Sequence, residues 1–313
     1  MELRRLLFVF SLLGLLLVAA DATPAKDAKA APDATYVGAD TCQNCHEDQY
    51  KSYLKSPMGK KANPDTPAAK HECETCHGPG SAHAEALGGK GVGGLLTFGP
   101  NAKTPIDQQN AVCLTCHAKG NRALWKGSTH QSRGLACATC HSMHKGNPGG
   151  LAAPSQLELC SNCHKQIQAQ VQRQSHHPIR EGKVECTDCH NPHGTVTEKL
   201  ISANSVNEKC YQCHAEKRGP YFWEHAPVAE NCLNCHTPHG STHDKLLVAK
   251  RPLLCQQCHS NSRHPGTLYA LDSSLTDPNV YTNSNNRIFN RSCSNCHVNI
   301  HGSNHPSGKF FMR

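Results

Sequence analysis

The chain has 313 residues and a formal net charge of +8, with 18% charged residues, 20 cysteines and 23 histidines. From Asp21 onward, Leu, Val, Ile and Phe number 41 of 293 residues, about 14%, below the roughly 20% under which chains tend to stay disordered. Side chains alone cannot offset roughly 1–2 kcal/mol of backbone entropy per ordered residue at that apolar content. A conventional enzyme with an aliphatic interior is disfavoured, and something other than polypeptide must supply the core.

In chain order, Arg4 and Arg5 precede an apolar run from Leu6 to Ala20, with small residues before Asp21. This reads as a secretory signal peptide over 1–20, too short for a membrane span. Residues 21–40, rich in Ala, Pro, Lys and Asp, read as a flexible leader.

Every cysteine then belongs to a C-x-x-C-H pentapeptide. The ten are Cys42-Cys45-His46, Cys73-Cys76-His77, Cys113-Cys116-His117, Cys137-Cys140-His141 and Cys160-Cys163-His164, followed by Cys186-Cys189-His190, Cys210-Cys213-His214, Cys232-Cys235-His236, Cys255-Cys258-His259 and Cys293-Cys296-His297. Two thiols at this spacing reach the two vinyl groups of one haem, and the next histidine falls under the iron as proximal ligand. One such motif would also suit zinc or a redox disulfide; ten of ten point to ten covalent c-type haems. The predicted fold class is a multihaem cytochrome c of short helices and coil wrapped on an elongated haem stack, with little or no sheet.

Taken two at a time, the motifs predict a decahaem domain over 41–313 with five two-haem repeats, at about 41–90, 111–147, 158–200, 208–245 and 253–305. A further histidine follows each even motif: His83, His144, His193, His239 and His301. Between the two motifs of a pair stands one more ligand candidate: His130, His176, His225 and His264. His176 is preferred to its neighbour His177 because His176 shares an H-x-P register with His225. His71, His177, His243 and His305 read as surface residues. In the first pair the equivalent place holds Met58, a thioether that would raise the potential of the first haem; His71 is the alternative. Thirteen spare histidines suffice to close ten irons, so no open catalytic haem is expected. The sequence leaves open which distal ligand serves which iron.

The basic charge suggests nucleic acid, but ten haems with two propionates each add roughly ten negative charges and turn the balance slightly acidic. The run Gly88 to Gly94 lacks the spacing of a phosphate loop and reads as a mobile loop. Glu72 and Glu74 read as solvated acids.

These residues resemble the MtrA/DmsE/PioA-type decahaem cytochromes. The resemblance rests on TPAA from Thr66, CETCHGPGSAH ending at His83, SHHPIREGKVECTDCHNPHG from Ser175 to Gly194 and HAPVAENCLNCHTPHG from His225 to Gly240. It implies a haem wire in an outer-membrane porin-like β-barrel. It implies electron exchange with periplasmic or inner-membrane cytochromes and with a surface multihaem cytochrome or reductase. It also implies histidine on both faces of every iron, from which Met58 departs. The expected role is electron transfer between periplasm and cell surface. The alternatives are a soluble periplasmic shuttle or filament subunit, or a multihaem redox enzyme. The direction of flow is not set by these residues.

Overall fold

The computed structural model describes residues 33–90, 92–259 and 292–312. The expected signal peptide and His264 lie outside them. Among the described residues there are thirteen α-helices, the longest being Ile106–His117, and no strand. Extended backbone meets only at isolated bridges.

The helices are short because the motifs build them one turn at a time. His46 N donates to the Cys42 carbonyl at 2.9 Å, and the same bond recurs at His77, His141, His164, His190, His214, His236, His259 and His297. One helical turn sets two residues three apart on one face with the next residue beside them. Two of the helices entering odd motifs are capped: Ser155 and Ser205 accept from Glu158 N and Glu208 N at 3.2 and 3.1 Å. Past each of three even motifs the chain turns back and bridges His141 to Leu151, His190 to Ile201 and His236 to Leu247.

The few buried apolar side chains, Tyr53, Trp125, Val171 and Leu247 among them, form no continuous interior. Polar residues clamp the two motifs of a pair instead. Asn207 accepts from Cys232 N at 2.8 Å and donates to the Val228 and Ala229 carbonyls. Asn110 does the same with Cys137 N and the Leu135 carbonyl. In the first pair Glu74, expected to be solvated, is only 4% exposed and accepts from Val37, Gly38 and Gly80 N–H groups. Glu72 is likewise engaged, by Lys61 at 2.8 Å and by Ala39 N. The expected leader therefore ends early: Thr35 bonds Ser81, and Val37 to Ala39 are tied to the two glutamates.

Successive repeats touch through glycine. A Cβ on Gly240 would collide with the Gln170 carbonyl, one on Gly194 with the Leu124 carbonyl, and one on Gly302 with the Tyr221 ring. Each of these glycines follows a histidine of the expected distal set, so the backbone behind that histidine presses on the preceding repeat. The Gly88–Gly94 run also packs, rather than moving freely: beyond Gly91, which is not described, Val92 accepts from His83 Nδ1 and Gly93 lies against the His83 backbone.

Candidate metal centres

The described chain brings histidines together in eight pairs with ring centroids 6.0–6.3 Å apart: His46 with His83, His77 with His144, His130 with His164, His141 with His193, His177 with His214, His190 with His239, His225 with His259 and His236 with His301. Direct stacking looks different here: Tyr36 and His71 lie 3.9 Å apart and 5° from parallel. Two metal–nitrogen bonds of about 2 Å, with about 1.1 Å from each nitrogen to its ring centre, give about 6.2 Å. The pairs therefore fit one metal ion between two imidazoles. No group of three or more His, Cys, Asp or Glu able to hold a metal exists among the described residues. The remaining donors must come from a bound macrocycle, as in haem.

Backbone carbonyls orient the rings. Nδ1–H of His77, His190 and His236 donates to the carbonyls of Leu96, Lys199 and Lys245 at 2.7–2.8 Å. On the opposite side, His130, His177 and His225 donate to Pro192, Pro238 and Ile300. This fixes the tautomer and leaves Nε2 with its lone pair for a metal. Burial holds His77, His141, His193, His225 and His239 below the ordinary imidazole range, and His301 at about 4. Neutral rings are the metal-binding form.

The pairing has a register. An even-motif histidine faces the one that follows the next even motif: His77–His144, His141–His193, His190–His239 and His236–His301. An odd-motif histidine from the third pair onward faces the one lying between the motifs of the preceding pair: His164–His130, His214–His177 and His259–His225. Three expectations change. His177, expected at the surface, faces His214, while His176 turns to Glu181 at 3.1 Å. There Arg180 first and then His176 hold the Glu181 carboxyl at about 2. His46 has His83 opposite, so the first motif has no need of Met58. His71 is engaged by Tyr36 instead. His243 and His305 open equivalent turns by donating N–H to Ser241 and Ser303.

The cysteines run in a ladder. Within each pair the first cysteines come side by side: Cys42–Cys73, Cys113–Cys137, Cys160–Cys186, Cys210–Cys232 and Cys255–Cys293. That neighbour lowers the Cys42, Cys137 and Cys186 thiols below the ordinary range, towards the nucleophilic thiolate. Between pairs the second cysteines come within electrostatic reach: Cys76–Cys116, Cys140–Cys163, Cys189–Cys213 and Cys235–Cys258. Ten motifs thus follow one another in space in chain order.

Two buried donors that the sequence does not reveal, Tyr53 OH and Trp125 Nε1, have no hydrogen-bond partner among the described residues. Tyr53 is within electrostatic reach of Cys73 and Cys76, and Trp125 lies edge-on to His193. Such donors suit an acceptor on a bound group, for example a propionate. Nothing at Tyr53 or Trp125 sets them apart in sequence from ordinary core aromatics.

Comparison with known proteins agrees. The doubled CXXCH motif family matches residues 130–169, 176–219 and 225–264, and the cytochrome c-type protein NrfB-like family matches residues 73–149. The chain is 43% identical over 282 residues to the multiheme cytochrome MtrA of Shewanella baltica (strain OS185), covering 88% of this chain and 81% of that one. It is 29% identical over 145 residues to the C-type polyheme cytochrome OmcB of Geobacter sulfurreducens, covering 39% of this chain and 18% of that one. With motifs for covalent c-type haem along the described chain and a relative matched over most of both lengths, this chain belongs to the MtrA family of multihaem cytochromes and is an electron-transfer protein, not an enzyme.

Proposed function

We propose that this cytochrome carries ten haems in line and conducts electrons across the outer membrane inside a porin-like β-barrel, between periplasmic cytochromes and the cell surface. One observation carries the proposal: the cysteine ladder is continuous, with neighbouring cysteines side by side within every pair and within electrostatic reach between successive pairs. Bound haem iron supplies the one-electron couple. The chain's own part is to hold each group by two cysteines and two axial side chains, and to keep neighbours adjacent. The eight imidazole pairs supply axial donors for eight of the ten.

Length supports a conduit. With irons on the order of 10 Å apart, ten in line reach on the order of 100 Å, against roughly 40–45 Å for a bilayer with headgroups. No helix among the described residues is long and apolar enough to cross a membrane. A coil-rich surface cannot face hydrocarbon, because its backbone groups would lose water without gaining partners. A protein sheath resolves this, and a closed barrel is the form that itself tolerates lipid.

The test is to purify the exported holoprotein from outer membranes and identify what travels with it. A stoichiometric barrel, and vesicles in which both together reduce a trapped acceptor from outside, are expected. A soluble cytochrome with no barrel partner, equally active free in solution, would make it a shuttle instead.

A further inference from the structure

We propose that the Met58 sulfur is the axial donor opposite His117, so that Met58 closes the third haem and not the first. This rests on the haem reading above. Among the described residues His117 has no imidazole facing it, whereas His46 has His83.

The register points to Met58. Donors facing the fifth, seventh and ninth proximal histidines lie between the motifs of the preceding pair, 13, 13 and 11 residues after an odd proximal histidine (His117 to His130, His164 to His177, His214 to His225). The same step back from His117 leads to the segment after His46, where Met58 stands 12 residues on.

Placement agrees. Met58 sits in the turn Pro57–Gly59, and Gly59 is pressed onto the Tyr53 carbonyl. Tyr53 is within electrostatic reach of Cys73 and Cys76, and Cys76 of Cys116, the residue before His117. Competitors are occupied: His71 stacks on Tyr36, His83 faces His46 and His144 faces His77. The three regular donors each give Nδ1–H to the carbonyl just before an even-haem donor, namely Pro192, Pro238 and Ile300. The corresponding residue before His144 is Met143. A thioether has no N–H to give, so this place can hold methionine without a carbonyl to meet it.

Thioether stabilises ferrous iron relative to imidazole. The third position is then a step of higher potential in an otherwise bis-imidazole run, and an electron rests there preferentially.

The experiment uses the full exported holoprotein, with intact mass showing ten haems in every variant. Near-infrared magnetic circular dichroism of the ferric protein should show one sulfur-to-iron band. Met58→His should abolish the band and lower one potential of ten, with all irons still low-spin. Met58→Leu should turn one iron in ten high-spin, His83→Ala should do the same, and the double variant should open two, because the two residues serve different irons. The proposal is overturned by absence of the band in the native protein, by Met58→Leu leaving the spin state unchanged, or by a double variant that opens only one iron. A native mass short of ten haems would instead remove the reading on which it rests.

Discussion

The third and fourth repeats and the first repeat solve the same problem with different residues. In the fourth, Asn207 clamps the paired motifs and His225 reaches the following repeat with its Nδ1–H anchored on Ile300. In the first, the clamp is the carboxylate of Glu74, the sequence position equivalent to His225 holds Met58, and His83 turns back on its own pair to face His46. The difference shows which constraint is strict. The cysteine turn is the same everywhere, because thioether attachment needs two thiols one helical turn apart. The donor on the far side need only arrive at about 2 Å from the metal, so its identity can vary from position to position without rebuilding the scaffold.

The largest effect that would break this comparison is removal of haem. Both kinds of repeat lack an apolar interior, so the chain expressed without haem attachment should be unfolded throughout, with no cooperative melting by circular dichroism. A compact apoprotein would mean that clamps such as Asn207 and Glu74 suffice alone.

Next is the contact between regular repeats. Gly240→Ala drives a methyl into the Gln170 carbonyl and should cost about 3 kcal/mol, the upper part of the usual overpacking range. Gly127→Ala meets nothing within 4 Å and carries only the strain of φ +84, so its melting temperature should fall by less. Equal losses would show that close approach of repeats contributes nothing.

A finer test separates neighbours. His177→Ala should convert one iron of ten to high spin, whereas His176→Ala should leave all low-spin, since His176 is bound to Glu181. The opposite result in electron paramagnetic resonance would restore the H-x-P register as the guide.

The smallest effect concerns that outer group. The Glu181 carboxyl is held at about 2 against an ordinary 4.5. A depressed folded-state value contributes stability above the unfolded value, and this is lost as pH falls through about 2. The group is exposed and screened, so Glu181→Gln should lower the melting temperature slightly at pH 7, much less at pH 2, and less in high salt.

Much of the chemistry is local and therefore legible without a structure. Each C-x-x-C-H is one turn of helix whose bonds are internal, so attachment sites and proximal histidines follow from spacing. The scarcity of Leu, Val, Ile and Phe likewise announces a borrowed core. Glu74 reads as solvated because acidic residues usually are, and nothing near it in sequence reveals that Val37, Gly38 and Gly80 converge on it. His176 was preferred on a three-residue pattern, yet the choice depends on the Pro238 carbonyl, 61 residues from His177.

The sequence by itself determined the C-x-x-C-H motifs, the helix-and-coil class and the membership of a multihaem family, because each depends on residues within one turn or on composition. The tertiary structure alone decided which histidine faces which. Every pair from His77–His144 onward joins two different repeats, and the side chain that arrives is set by how those repeats pack, at Gly194, Gly240 and Gly302, rather than by its distance along the chain.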